Sequence, residues 1–122
     1  NEMPATLEEF VEGRFAKHFN NSGGFVEPAP DCRYGVKTIF EKAQALVHFS
    51  YMCSREVMML LDIQGSDYNL YDPEIATKER FDEENEWYFC SGNLASFAID
   101  NFILQHKCNR YCDMLKLKNM NA

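Results

Sequence analysis

Val57-Met58-Met59-Leu60-Leu61-Asp62-Ile63-Gln64-Gly65 is an unbroken apolar run that ends in polar groups. Such a run without alternation reads as a buried strand whose end presents Asp62 and Gln64. A carboxylate at the end of a buried strand is costly unless it is paired or bound to a cation. Ten residues on, Asp72 stands before Pro73, at the end of a second short strand expected over Tyr68-Asn69-Leu70-Tyr71. With those two strands adjacent, Asp62, Gln64 and Asp72 converge on one site. That group suits Mg²⁺, which takes one or two carboxylates together with substrate phosphates. One carboxylate can instead accept the proton of a substrate hydroxyl. Asp-Ile-Gln-Gly and Asp-Pro also suit ordinary turns.

Outward from this strand the chain alternates short elements. Val36 to Tyr51 carries apolar residues at 36, 39, 40, 43, 47 and 51, the stripe of a helix, with His48 beside it. Ser54-Arg55 ends that helix. Upstream, Leu7 to Phe19 alternates loosely and is expected to form one or two strands, with Gly13 as a bulge. Asn20-Asn21-Ser22-Gly23-Gly24 is a turn, and Val26 to Gly35, with Pro28 and Pro30, is a loop. Downstream, Glu74 to Trp87 is charged and is expected to be a solvated loop. A second helix is expected from Leu94 to Gln105 and a short third from Asn109 to Leu115. Gly92-Asn93 before the second helix suits either an anion at the helix N-terminus or a plain Asn cap.

The 122 residues suffice for one domain with a modest core. The formal net charge of −7 argues against a nucleic-acid binder, which carries a basic face. No stretch approaches the roughly 20 apolar residues of a membrane span. Asn1-Glu2-Met3-Pro4 lacks the basic and apolar regions of a signal peptide. The chain opens without Met, as a fragment or a processed chain does. The five cysteines are an odd number, and their scatter suits a reducing, cytoplasmic compartment better than a disulfide framework.

His106-x-Cys108-x-x-x-Cys112 places three metal ligands within seven residues. Structural zinc takes four such ligands in a tetrahedron. His48 is the leading candidate for the fourth, and His18 is its rival.

Five segments, in order, resemble the motifs of one family. They are Glu12 to Gly23, Val57 to Gly65, Leu70-Tyr71-Asp72-Pro73-Glu74-Ile75, Gly92-Asn93-Leu94, and His106 to Cys112. Together they resemble the alpha-kinases, atypical Ser/Thr protein kinases. The resemblance implies an α+β fold, the zinc-stabilised C-terminal lobe of such a kinase, in which a short β-sheet packs with helices. Residues 1–10 are then the end of the N-terminal lobe and the hinge, and 11–122 the C-terminal lobe. It implies Asp62 as catalytic base, with Gln64 and Asp72 holding Mg²⁺ against ATP. Lys17 and Asn21 lie beside the nucleotide, and Glu8 and Phe10 match the hinge that meets adenine. His48, His106, Cys108 and Cys112 are the zinc ligands. The N-terminal lobe is expected from another chain or segment, and the substrate is a protein Ser or Thr. A cytosolic kinase of innate-immune signalling is the expected setting. Ala95 and Ala98 depart from a glycine-rich run of the family. That departure keeps open a zinc-stabilised pseudokinase or interaction module without catalysis.

Overall fold

The structure, a computed structural model, describes residues 2–120. Its elements run β1 (Phe15–Lys17), α1 (Val36–Cys53), β2 (Met58–Leu61), β3 (Gln64–Ser66), β4 (Asn69–Leu70), β5 (Glu74–Thr77), α2 (Ala95–Gln105) and α3 (Arg110–Met114). The strands form two small antiparallel sheets, one ordered β1-β3-β4 and the other β2-β5. Short strands and helices together give the α+β class expected.

The apolar stripe of α1 explains its burial. Phe40, Ala43, Val47 and Tyr51 recur on one face and enter the core. The helix stops at Ser54, after which Arg55 and Glu56 adopt left-handed backbone. Ser50 and Ser54 then stitch the helix to β2. Leu60 N–H donates to Ser50 Oγ at 2.9 Å and Met58 N–H to Ser54 Oγ at 3.1 Å. Alpha-helix α1 packs on β2, α2 packs on β5, and α3 packs on α1.

Phe19, Phe25, Phe40 and Phe102 form the aromatic centre, with Phe19 ring centroids 5.2 to 5.8 Å from the other three. Met59, Leu61, Ile63, Ala76 and Ile99 complete the core. Each fully buried large side chain contributes about 1.5–3 kcal/mol. The 20–24 turn docks straight onto α2. Gly23 has φ 82, and a Cβ there would lie 2.1 Å from the Ala98 carbonyl oxygen, so only glycine fits.

Three expectations need correction. The strand expected over Leu7 to Phe19 shrinks to Phe15–Lys17, because residues 2–10 are exposed and meet no sheet. The charged segment after Pro73 is not all loop. Glu74–Thr77 is a strand, with Ala76 and Thr77 buried against β2, and its apolar pair was hidden among charges. Finally, the strands ahead of Asp62 and Asp72 are not neighbours: β2 pairs with β5 and β4 with β3.

Candidate active site and metal centre

Asp62 lies between β2 and β3 in left-handed backbone, φ 55, where the chain passes from one sheet to the other. The register of β1 with β3 sets Lys17 opposite Gln64. Lys17 Nζ stands 2.6 Å from Asp62 Oδ1, an oxygen that is buried and has no hydrogen bond apart from this ion pair. Gln64 ties Asp62 to the backbone of Asp72, although the strands ahead of the two are not adjacent. Its amide Nε2 donates to Asp62 Oδ2 at 3.1 Å and to the Asp62 carbonyl at 3.2 Å. It also donates to the Asp72 carbonyl at 3.1 Å. With the nitrogen so engaged, the Gln64 Oε1 is left as an acceptor for a cation. Gly65 makes the close β3–β4 hairpin possible: its φ is 153, and a Cβ would lie 2.0 Å from the Asn69 carbonyl oxygen.

Asp72 adopts φ 53 and is exposed, so its carboxylate is open to solvent. The chain beyond it is latched to the loop before α2. Glu74 accepts the Cys90 thiol at 3.1 Å. Asn21 Nδ2 donates to the Gly92 carbonyl at 3.1 Å, which brings the 20–24 turn to the same loop. Asn93 is 1% exposed, and its Oδ1 accepts from Ala95 N–H and Thr77 N–H. The N-cap position of α2 is Leu94 and no side chain caps the helix, so the plain Asn cap expected of Asn93 is not what it makes. Asn93 ties the loop to β5 and to the first residue of α2. Glu8 and Phe10, the expected hinge residues, are exposed, Phe10 at 85%.

A second centre lies where α1, the segment after α2, and α3 meet. One ligand atom each from His48, His106, Cys108 and Cys112 lie within 4.8 Å of one another. Cys108 Sγ is 3.6 Å from His48 Nδ1, and Cys112 Sγ is 3.8 Å from His106 Nε2. The cap of α3 builds this loop. Asn109 Oδ1 accepts from Tyr111 N–H, and Asn109 Nδ2 donates to the Glu41 carbonyl on α1. His18 stands outside the group.

Burial, and then the neighbouring His48, hold His106 down to about pKa 4, and burial lowers His48 as well. Burial pushes the Cys112 thiol up to about 11. The imidazoles are thus neutral and ready to ligate, while the thiol needs a bound cation to lose its proton. Two nitrogens and two sulfurs at this spacing suit a tetrahedral metal ion. Two partners were missed in the sequence: Gln44, bonded to His106, and the Lys118 carbonyl, bonded to His48. Gln44 had a signal, being a polar residue one turn from both Phe40 and His48 on the buried face. A backbone carbonyl has none.

The sequence profile described as the Alpha-kinase family matches residues 2–112. The chain belongs to the alpha-kinase family. Alpha-kinases are protein kinases. Myosin heavy chain kinase C of Dictyostelium discoideum is 38% identical over 116 residues, covering 93% of this chain and 13% of that protein. Transient receptor potential cation channel subfamily M member 6 of Homo sapiens is 34% identical over 115 residues, covering 94% of this chain and 5% of that protein. The apoenzyme alpha-kinase domain of myosin-II heavy chain kinase A superposes with a TM-score of 0.71 at 32% identity. That match covers 91% of this chain and 37% of the solved one. The chain therefore spans a small part of the curated relatives and little more than a third of the solved kinase domain. No helix among the described residues is long and apolar enough to cross a membrane.

Proposed function

We propose that this chain is the catalytic C-terminal lobe of an ATP- and Mg²⁺-dependent alpha-kinase that phosphorylates Ser or Thr of a protein substrate. The observation that carries the reading is the single Gln64 amide joining Asp62 to Asp72, beside Lys17. Phosphoryl transfer needs positioning and charge neutralisation more than covalent help. Asp62 would accept the hydroxyl proton, and its ion pair with Lys17 aims it. Gln64 Oε1 and the exposed Asp72 carboxylate suit Mg²⁺, whose charge would offset that of the phosphates. Two solved structures of the myosin heavy chain kinase A domain with ATP are described as inactive, each with one aspartate replaced by alanine. Those two aspartates are ten positions apart, as Asp62 and Asp72 are.

Lys17 and Asn21 would border the nucleotide, Lys17 from β1 and Asn21 through the loop it holds at Gly92. Glu8 and Phe10 would meet adenine once the N-terminal lobe, from another segment or chain, packs on the exposed 2–10 stretch. Zinc would occupy the second centre. Zn–N near 2.0 Å and Zn–S near 2.3 Å give a tetrahedral sulfur–nitrogen edge of about 3.5 Å. The two sulfur–nitrogen distances of 3.6 and 3.8 Å lie close to it, and the whole group, within 4.8 Å, would draw in around the ion. Four protein ligands leave no position for an activated water, so the ion would be structural. Five unpaired cysteines suit the reducing cytoplasm.

The test is ATP-dependent transfer by the complete kinase. Asp62→Asn and Asp72→Asn are each expected to reduce kcat at least about 100-fold, with unchanged circular dichroism and zinc content. Full activity in both variants would overturn the reading. A second reading, a lobe kept for binding alone, is favoured by one observation: Ala95 sits at φ 54 where the family favours glycine. No transfer by the intact, ATP-bound kinase would establish it.

A further inference from the structure

Each imidazole of the metal centre has one nitrogen facing the thiols and the other held by a group outside the ligand set. His48 Nε2 lies 2.8 Å from the Lys118 carbonyl oxygen. His106 Nδ1 is hydrogen-bonded to Gln44 Oε1. Both partners are oxygens that only accept, so the ring nitrogen facing each must carry the proton. In a neutral imidazole the other nitrogen is then an acceptor. Those free nitrogens are Nδ1 of His48, 3.6 Å from Cys108 Sγ, and Nε2 of His106, 3.8 Å from Cys112 Sγ. The oxygens and the thiols thus select the same ring orientations, and opposite tautomers for the two histidines.

We infer that Gln44 and the Lys118 carbonyl are the positioning groups of this centre, fixing His48 as an Nδ1 ligand and His106 as an Nε2 ligand. The inference rests on a metal being bound there. Gln44 is suited to the role because it is 5% exposed and lies one helical turn before His48. Its packing holds the amide in place. Lys118 reaches His48 because the segment after α3 turns back. Leu117 N–H donates to the Cys112 carbonyl at 3.1 Å, and Met120 packs against the core. The C-terminal segment is therefore a strap across the centre, and its carbonyl does work that no side-chain motif could announce. Such outer partners raise ligand basicity and hold ring orientation, and losing one commonly weakens metal affinity 10–100-fold.

The test uses the zinc-loaded protein. Long-range proton–nitrogen correlation spectra of the histidine rings are expected to show His48 protonated at Nε2 and His106 at Nδ1. The reversed tautomer at either ring overturns the inference, and so does a shared tautomer. Zinc affinity by chelator competition is expected to fall about 10–100-fold in Gln44→Leu and to be largely recovered in Gln44→Glu, which keeps the acceptor. Unchanged affinity in Gln44→Leu overturns the role of Gln44. If the parent protein binds no zinc, the metal reading itself fails and this inference with it. Wrong tautomers in a zinc-binding protein overturn the inference alone.

Discussion

Lys17 Nζ stands 2.6 Å from Asp62 Oδ1, from a strand whose register sets Lys17 opposite Gln64. The aspartate is 13% exposed and the lysine 45%, so the pair is half in water. Its worth lies less in attraction than in sparing a buried oxygen that has no hydrogen bond of its own. Lys17→Met is expected to cost about 1–3 kcal/mol, read as a shift of the urea midpoint at pH 7 with m unchanged. In Lys17→Met with Asp62→Asn, the two effects should be clearly less than additive, with a coupling of at least about 0.5 kcal/mol. Additive effects would show that the ammonium does not sense the carboxylate.

Ala95 begins α2 at φ 54, a conformation that costs an L-residue roughly 1–2 kcal/mol. Its N–H is nevertheless fixed there, because it donates to the buried Asn93 Oδ1 at 2.9 Å. Ala95→Gly should relieve the strain and lose some unfolded-chain entropy in exchange. The net expectation is a gain of about 0.5–1 kcal/mol, seen as a raised thermal midpoint. A lowered midpoint would mean that the packing of the Ala95 methyl outweighs the backbone strain.

His18 follows β1, and burial lowers its pKa. Lys42 and Asp67 line the same small cavity, together with Ile39, Ala43 and Leu46. The folded state binds this proton less readily than the unfolded chain does, whose ordinary value is 6.5. The contribution of His18 to stability is therefore complete above pH 6.5. It declines as pH falls from there through the lowered folded value, because the unfolded state then takes up the proton first. His18→Gln should flatten the pH dependence of the urea midpoint below 6.5. An unaltered slope would assign that dependence to other groups.

How much of this was legible beforehand varies with the physics of each part. The stripe from Val36 to Tyr51 is legible because burial on one face leaves a helical period. The apolar run before Asp62 is legible as a strand by its length, although only Met59 and Leu61 of it are buried and Val57 and Met58 are exposed. The pairing of β2 with β5 is not legible. Ile75 and Ala76 are too few to make a pattern among Glu74, Lys78 and Glu79, and pairing across the chain leaves no local mark. Strand adjacency is no guide to Asp62 and Asp72, whose preceding strands lie in different sheets. What links them is the Gln64 amide, hydrogen-bonded to the Asp62 carboxylate and to the Asp72 backbone carbonyl. His48 is legible as the leading fourth ligand from its place beside the apolar stripe near the end of a helix, and the resemblance points to the same residue. Gln44 and Lys118 became visible only once the rings had positions.

Cys108 is the exposed member of the four-ligand group, whereas Cys112, His48 and His106 are buried. Removing its sulfur is therefore a small change in packing and a large one in metal binding. Cys108→Ala is expected to lower zinc content from about one per chain to near none and to reduce the thermal midpoint as chelation of the parent does. The physical route is specific. Without the ion, nothing but hydrogen bonds and packing ties the 106–112 loop and the strap to α1, and α1 leads through Ser50 and Ser54 into β2 and so to Asp62. Hydrogen-exchange protection should be lost first in α3 and the strap, next at the end of α1, and last in β3. Adding zinc should restore the chelated parent but not Cys108→Ala. If the zinc-free parent keeps full protection and its thermal midpoint, the metal is an ornament on a lobe that is already stable. The coupling between the two centres would then be wrong.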